Sequence, residues 1–142
     1  MHNAPKGRQH QLLVIEDNPA DVVLLRRALA GAGLDYQLTV INDGAEALAL
    51  FRPGSAILTA DLAIVDMNLP KHSGLEVIEQ MRANPAFAEM PVVILSSASA
   101  PRDRSMMDRF RVKRYIVKPA DLDEFMRIGW QIKELLPDRQ PI

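Results

Sequence analysis

A single α/β domain, built on a parallel sheet with helices on both faces, is the fold class this sequence predicts. Short apolar runs, too brief for helices, alternate about five times with longer amphipathic stretches. The runs are nearly continuous in apolar residues, as strands buried on both faces are. Breakers and caps punctuate the junctions, yet no linker is long enough to divide the 142 residues into two ordinary domains.

Residues 1–11 are polar, hold Pro5 and Gly7, and are expected to form a flexible tail ahead of a domain over 12–136. The run 12–15, LLVI, is the first strand, closed by Glu16-Asp17-Asn18-Pro19. Asn18 as N-cap and Pro19 as first helical residue predict a helix to about Ala32, with Val22, Leu25 and Leu29 at helical spacing and Gly33 as its stop. Residues 37–41 turn β-branched and form the second strand. Asn42-Asp43-Gly44 opens a helix carrying Ala47, Leu48 and Phe51, which Pro53-Gly54 ends. The third run, 62–65, ends on Asp66. Asn68, Pro70, Ser73 and Gly74 then pass the chain to a helix that begins near Leu75, carries Ile78 and Met81 on the same face, and stops at Asn84-Pro85. The fourth run, 91–95, closes on Ser96-Ser97. The charged segment 101–109, with Met106 and Met107, reads as a short, poorly anchored helix. Residues 112–117 form the fifth strand, with Lys118-Pro119 behind it. The last helix, 122–136, places Leu122, Phe125, Ile132 and Leu136 in a buried stripe, with Gly129 inside it where close packing wants no side chain. Residues 137–142 are a tail.

Composition narrows the function. Apolar residues make up 48% and charged residues 25%, the proportions of a globular chain. A formal net charge of −1, from 17 basic and 18 acidic residues without a basic stripe, removes the electrostatic basis for nucleic acid or an anionic membrane as main partner. Cysteine is absent, which excludes disulfides, thiol catalysis and cysteine-based zinc sites, and suits a reducing cytoplasm. His2, His10 and His72 are the only histidines and two fall in the polar leader, so a histidine-centred triad or metal cage is not expected. No run approaches the length of a membrane span, and the leader lacks the apolar core of a signal peptide.

In a parallel sheet the carboxyl ends of the strands meet on one rim, where open α/β sheets bind ligands. Glu16 and Asp17 close the first run, Asp66 the third, Ser96 the fourth and Lys118 the fifth. Each has an ordinary explanation alone: the first two favour a helix dipole, Asp66 is a loop acid, Ser96 a strand-end hydroxyl, Lys118 a solvated surface lysine. Their shared placement outweighs those readings. Three carboxylates brought together repel one another unless a cation stands between them. Magnesium suits that role, because it prefers oxygen ligands, retains waters and bridges to phosphate. Lys118 and Ser96 then offer a charge and a hydrogen bond to a phosphoryl group carried by Asp66.

Four motifs stand in order: Leu-Val-Ile-Glu16-Asp17-Asn18, Ile-Val-Asp66-Met-Asn68-Leu-Pro70 with Gly74, Val-Ile-Leu-Ser96-Ser97, and Tyr115-Ile-Val-Lys118-Pro119. By these the chain resembles the receiver domain of two-component response regulators over nearly all of 12–136. Glu16-Asp17-Asn18-Pro-Ala-Asp and Asn68-Leu-Pro-Lys are most similar to the small single-domain regulators paired with bacterial phytochromes. The resemblance implies a flavodoxin-like sheet of strand order 2-1-3-4-5 and a phosphoacceptor switch rather than an enzyme. It further implies that a sensor histidine kinase donates to Asp66, that Glu16 and Asp17 hold magnesium with the backbone carbonyl of Asn68 as a further ligand, and that Lys118 binds the phosphate. Ser96 is then the switch hydroxyl and Tyr115 the aromatic that changes rotamer. A cis Lys118-Pro119 peptide belongs to the same pattern. Two departures stand out. Glu16 replaces the aspartate often found first in its pair, so it is expected to reach magnesium through water. Residues 109–114, RFRVKR, replace the family's Gly-Ala turn and leave the geometry before the fifth strand open.

Two other functional classes meet these residues less well. An aspartyl-phosphate hydrolase of the haloacid-dehalogenase type wants Asp-x-Asp after its first strand, whereas Asp66 follows the third and position 68 is Asn. A degenerate receiver serving only as a binding module would not need every phosphorylation residue. About six residues follow the last helix and no output domain is expected, so output is expected to pass through partners or self-association. Met126 and Trp130 lie one turn apart beside the final stripe, with Met106, Met107, Phe110 and Tyr115 upstream. The resemblance implies a homodimer surface there, centred on Met106, Tyr115 and Trp130; the plainer alternative is that Trp130 covers the core edge. Ala98, two beyond Ser96, offers no polar group to orient a hydrolytic water.

Overall fold

The structure, a computed structural model, describes residues 9–54, 59–97 and 104–137, the side chains of 104–106 excepted. Ala98 and the side chain of Met106 lie outside the described residues, as do residues 1–8 and 138–142 of the two expected tails. Strands and helices alternate in the order β1 His10–Ile15, α1 Pro19–Gly31, β2 Tyr36–Ile41, α2 Gly44–Leu50, β3 Leu62–Val65, α3 Gly74–Ala83, β4 Val92–Ser96, α4 Arg104–Phe110, β5 Val112–Val117 and α5 Leu122–Leu135. All pairings are parallel and the sheet order is β2-β1-β3-β4-β5. The order reverses between β1 and β3, which opens a crevice at their carboxyl ends.

Alternation along each strand divides the core in two. Leu13, Ile15, Ala63, Val65, Val92 and Ile94 face α2, α3 and α4, whereas Leu12, Val14, Leu62, Ile64, Val93 and Leu95 face α1 and α5. Both faces are covered, so the strands read as continuous apolar runs. The helix starts follow their caps: Asn18 Oδ1 accepts from the Ala20 N–H (3.0 Å), Asp43 Oδ1 from Ala45 (2.6 Å) and Asp121 Oδ1 from Asp123 (2.8 Å). Gly129 lies where α5 meets α1, and a Cβ there would run into the Ala28 carbonyl. The absent side chain is what lets the two helices touch.

Three expectations change, and the geometry left open before β5 takes a definite form. β1 begins at His10, not Leu12, because the His10 N–H donates to the Asp35 carbonyl (2.9 Å) and His10 and Gln11 pair with Tyr36 and Gln37. Leu122 is 52% exposed and outside the buried stripe, which Phe125, Ile128, Gly129 and Ile132 form, with Leu136 buried just beyond the helix. Leu122 opens the first turn of α5, directly after its Asp121 cap, and is left open to solvent. No peptide bond among the described residues is cis, so Lys118-Pro119 is trans; only about 0.5–1 kcal/mol separates the isomers before proline. Ahead of β5, where a Gly-Ala turn was absent, Arg111 takes a left-handed φ of 56° and the register slips between Val92 and Val93. That conformation costs a non-glycine residue about 1 kcal/mol. Offsetting contacts surround it: Arg111 donates to the Ala88 carbonyl (2.8 Å), and Arg82 donates to the carbonyls of Phe110 (2.8 Å) and Met90 (2.8 Å).

Candidate metal and phosphoryl site

The rim residues stand one step beyond their strands because the ladder continues past them. The Glu16 N–H donates to the Ile41 carbonyl (3.0 Å), the Asp66 N–H to Ile15 (3.0 Å) and the Lys118 N–H to Ser96 (2.8 Å). Each backbone is pinned where its side chain reaches the rim. Glu16 and Asp66 are only 4% and 5% exposed, and Ser96 is fully buried. Glu16, Asp17 and Asp66 each bring an oxygen within 4.8 Å of the others, with Asp17 the most open of the three.

Local turns fix the carboxylates. Glu16 Oε2 accepts from the Asn18 N–H (3.2 Å) and Asp66 Oδ1 from the Asn68 N–H (2.9 Å). The Asn68 side chain donates through Nδ2 to Ser96 Oγ (3.1 Å), joining β3 to β4 across the rim. Beyond Asn68 the loop folds back until the Gly74 N–H meets the Met67 carbonyl at 3.1 Å. A Cβ on Gly74 would strike the Asp66 carbonyl, so this approach requires glycine.

Lys118 completes the cluster. Its Nζ lies 2.6 Å from Glu16 Oε1, 2.7 Å from Asp21 Oδ2 and 3.2 Å from Asp66 Oδ2. Burial works against the ammonium charge, but the hydrogen bonds to Asp21 and Glu16 and the charges of Glu16 and Asp66 raise its pKa above the usual lysine value. Burial, followed by the hydrogen bond shared with Asp66, pushes Glu16 up from 4.5 to about 7, against the pull of Lys118. Glu16, Asp21 and Asp66 thus crowd one ammonium while Asp17 stands beside Glu16 and Asp66, leaving negative charge uncompensated on oxygen donors. That donor set fits a hard divalent cation such as magnesium, which tolerates no soft ligand here and finds none.

The sequence pointed to Glu16, Asp17, Asp66, Asn68, Ser96 and Lys118, and the structure brings all six to one rim. Tyr115 stands apart on β5, opposite Ile94 and half-buried against the α2, α3 and α4 face. Asp21 was missed. Its signal was the Asn18-Pro19 helix start, which puts an acid of the first turn on the same rim, yet first-turn acids are ordinary dipole partners.

The raised Glu16 pKa sets a pH dependence. Between 4.5 and about 7 the folded protein holds a proton on Glu16 that the unfolded chain releases, so this contribution to stability is present at low pH and lost as pH rises through about 7. A cation must displace that proton. Magnesium affinity should therefore drop about tenfold in all between about pH 8 and about pH 6, for one linked proton with a pKa of about 7. Calorimetric titrations with equal affinity at both values would show Glu16 already ionised.

The profile described as "Response regulator receiver domain" matches residues 12–128. Response regulator Rcp1 of Synechocystis sp. is 28% identical over 120 residues, which are 82% of this chain and 82% of that protein. The phosphorylated cyanobacterial phytochrome response regulator RcpA superposes with a TM-score of 0.79 at 29% identity, over 93% of this chain and 99% of its own. TrrA of Thermotoga maritima, solved in complex with magnesium and beryllofluoride, gives a TM-score of 0.68 at 29% identity, over 90% of this chain and 100% of its own. Among the described residues, no helix is long and apolar enough to cross a membrane.

Proposed function

The chain belongs to the response regulator receiver domain family, and on that premise we propose that it is a two-component phosphorylation switch whose Asp66 accepts a phosphoryl group from a sensor histidine kinase. The observation that carries this reading is the Asp66 carboxylate itself, buried on the rim with Oδ1 on the Asn68 N–H and Oδ2 on Lys118, beside Glu16 and Asp17. An Asp66 oxygen attacks phosphorus. The new P–O bond forms as the P–N bond to the donor histidine breaks, and the imidazole nitrogen keeps the electron pair and regains a proton. Glu16, Asp17 and Asp66, with the Asn68 backbone carbonyl, would hold magnesium. When bound, the ion offsets charge on the transferred oxygens. TrrA's complex with magnesium and beryllofluoride supports that pairing. Lys118 supplies a second positive charge from the end of β5, and the Ser96 hydroxyl donates to a phosphoryl oxygen once it leaves Asn68. Withdrawal of Ser96 toward the phosphate opens space on β4 for Tyr115, a local packing switch. The chain acts here as phosphoacceptor rather than as an enzyme on a separate substrate.

The test uses a small acyl phosphate in place of the kinase. With magnesium present, the protein should gain one phosphoryl group by intact mass, lost again at alkaline pH. A protein that gains none, while its fold and magnesium binding are intact, would not be a phosphoacceptor.

Output is proposed to pass through a two-fold homodimer on α4, β5 and α5. Trp130 is 54% exposed and Val117 42%, with Met126 beside the core and Tyr115 half-buried on the strand between. Large aromatics at the centre of such a surface carry much of its binding energy. Trp130→Ala should turn dimer into monomer in sedimentation at micromolar concentration and leave phosphorylation intact. A wild type that stays monomeric with and without beryllofluoride rules the dimer out.

A further inference from the structure

Lys118 is held by three acids, and Asp21 alone among them lies outside the cluster that fits a metal. An ammonium has three N–H donors, so these contacts engage the full set. The two short ones, 2.6 Å to Glu16 and 2.7 Å to Asp21, draw Nζ away from Asp66, which it meets only at 3.2 Å. Asp21 is placed firmly enough to hold it. Its helix start is capped by Asn18, and α1 is locked on α5, where the Lys133 ammonium donates to the Ala32 carbonyl (2.9 Å) opposite Gly129. Side-chain exposures of 10% for Lys118 and 20% for Asp21 leave little water to weaken the pair. Glu16 is shared with the metal cluster; Asp21 is not, so its hold on Lys118 does not depend on a cation.

We propose that Asp21 is a positioning residue that competes with the phosphoryl group for Lys118. It keeps the ammonium on the α1 side while Asp66 is unmodified, and a phosphoryl group on Asp66 must draw the ammonium off it. The inference rests on the reading of Asp66 as phosphoacceptor and Lys118 as its phosphate partner. Its consequence is that the Asp21 charge favours the unphosphorylated state, since that state alone satisfies both acids.

Calorimetric titration of the full chain with beryllofluoride, magnesium in excess, measures the competition. Asp21→Asn keeps the shape and removes the charge, and should bind the mimic about three- to tenfold more tightly, as expected for charged groups in contact. Asp21→Glu restores the competing charge and should return affinity toward wild type. Asp121→Asn removes a charge from the same rim at a residue that caps α5, where asparagine caps equally well, and should leave affinity unchanged. A structural role for Asp21 would weaken binding instead. Unchanged or weaker binding in Asp21→Asn overturns the proposal, as does equal tightening in Asp121→Asn, which would mark a general field effect. Failure of the wild type to bind beryllofluoride would strike the phosphoacceptor reading rather than this one.

Discussion

Replacing Asp66 by asparagine should abolish labelling by a small phosphodonor. The amide has the carboxylate's shape but no nucleophilic oxygen able to form an acyl phosphate. Nothing else in the site collapses. The Oδ1 of an asparagine still accepts from the Asn68 N–H, and Lys118 keeps its shorter contacts to Glu16 and Asp21. Removing one of several crowded carboxylates also relieves repulsion, so the thermal midpoint should stay at or above that of the wild type. Loss of labelling in a protein of undiminished stability therefore isolates the chemistry. Labelling that survives would move the acceptor to another carboxylate.

The largest effect on the fold is expected at Gly129. An added methyl would be driven into the Ala28 carbonyl, with the Ala32 Cβ 3.2 Å away. Backbone cannot give way as a side-chain tip does, so α1 and α5 must separate along the core they share around Leu25, Leu29 and Ile132. Overpacking of this kind costs about 3 kcal/mol, which for a domain of this size lowers the melting temperature by roughly 10 °C. Gly31→Ala provides the contrast within one fold. A Cβ at Gly31 meets nothing within 4 Å, so alanine's better helix propensity should stabilise by up to about 1 kcal/mol. Opposite signs for the two substitutions in thermal unfolding would locate the effect in the α1–α5 contact, and equal signs would contradict it.

Gly129 also shows how far the sequence could be read. A glycine inside an apolar stripe needs a reason, and close approach of another helix is the common one. The β/α alternation and most caps were legible because they are local: Asn18-Pro19, Asp43-Gly44 and Asn84-Pro85 each act within one turn. The rim cluster was legible because parallel topology brings strand ends together whatever their separation in the chain. Leu122 misled because periodicity records which side of a helix a residue occupies, not whether the rest of the chain covers it there. Arg111 stayed hidden because its left-handed φ depends on carbonyls held by Arg82, residues far away in sequence. The Asn68–Ser96 bond and the Asp21–Lys118 pair are side-chain contacts between separate elements, and residue spacing carries no record of them.

If the carboxylate of Asp66 forms an acyl phosphate, chemical trapping will find it there. Borohydride reduces an acyl phosphate of aspartate to homoserine, and peptide mass spectrometry then locates the change. Protein treated with a phosphodonor and magnesium should carry homoserine at position 66 and at no other acid, with none formed when magnesium is chelated. Homoserine at Asp17, Asp21 or any other aspartate with position 66 untouched would move the acceptor away from Asp66, and trapping indifferent to magnesium would remove the metal from the chemistry.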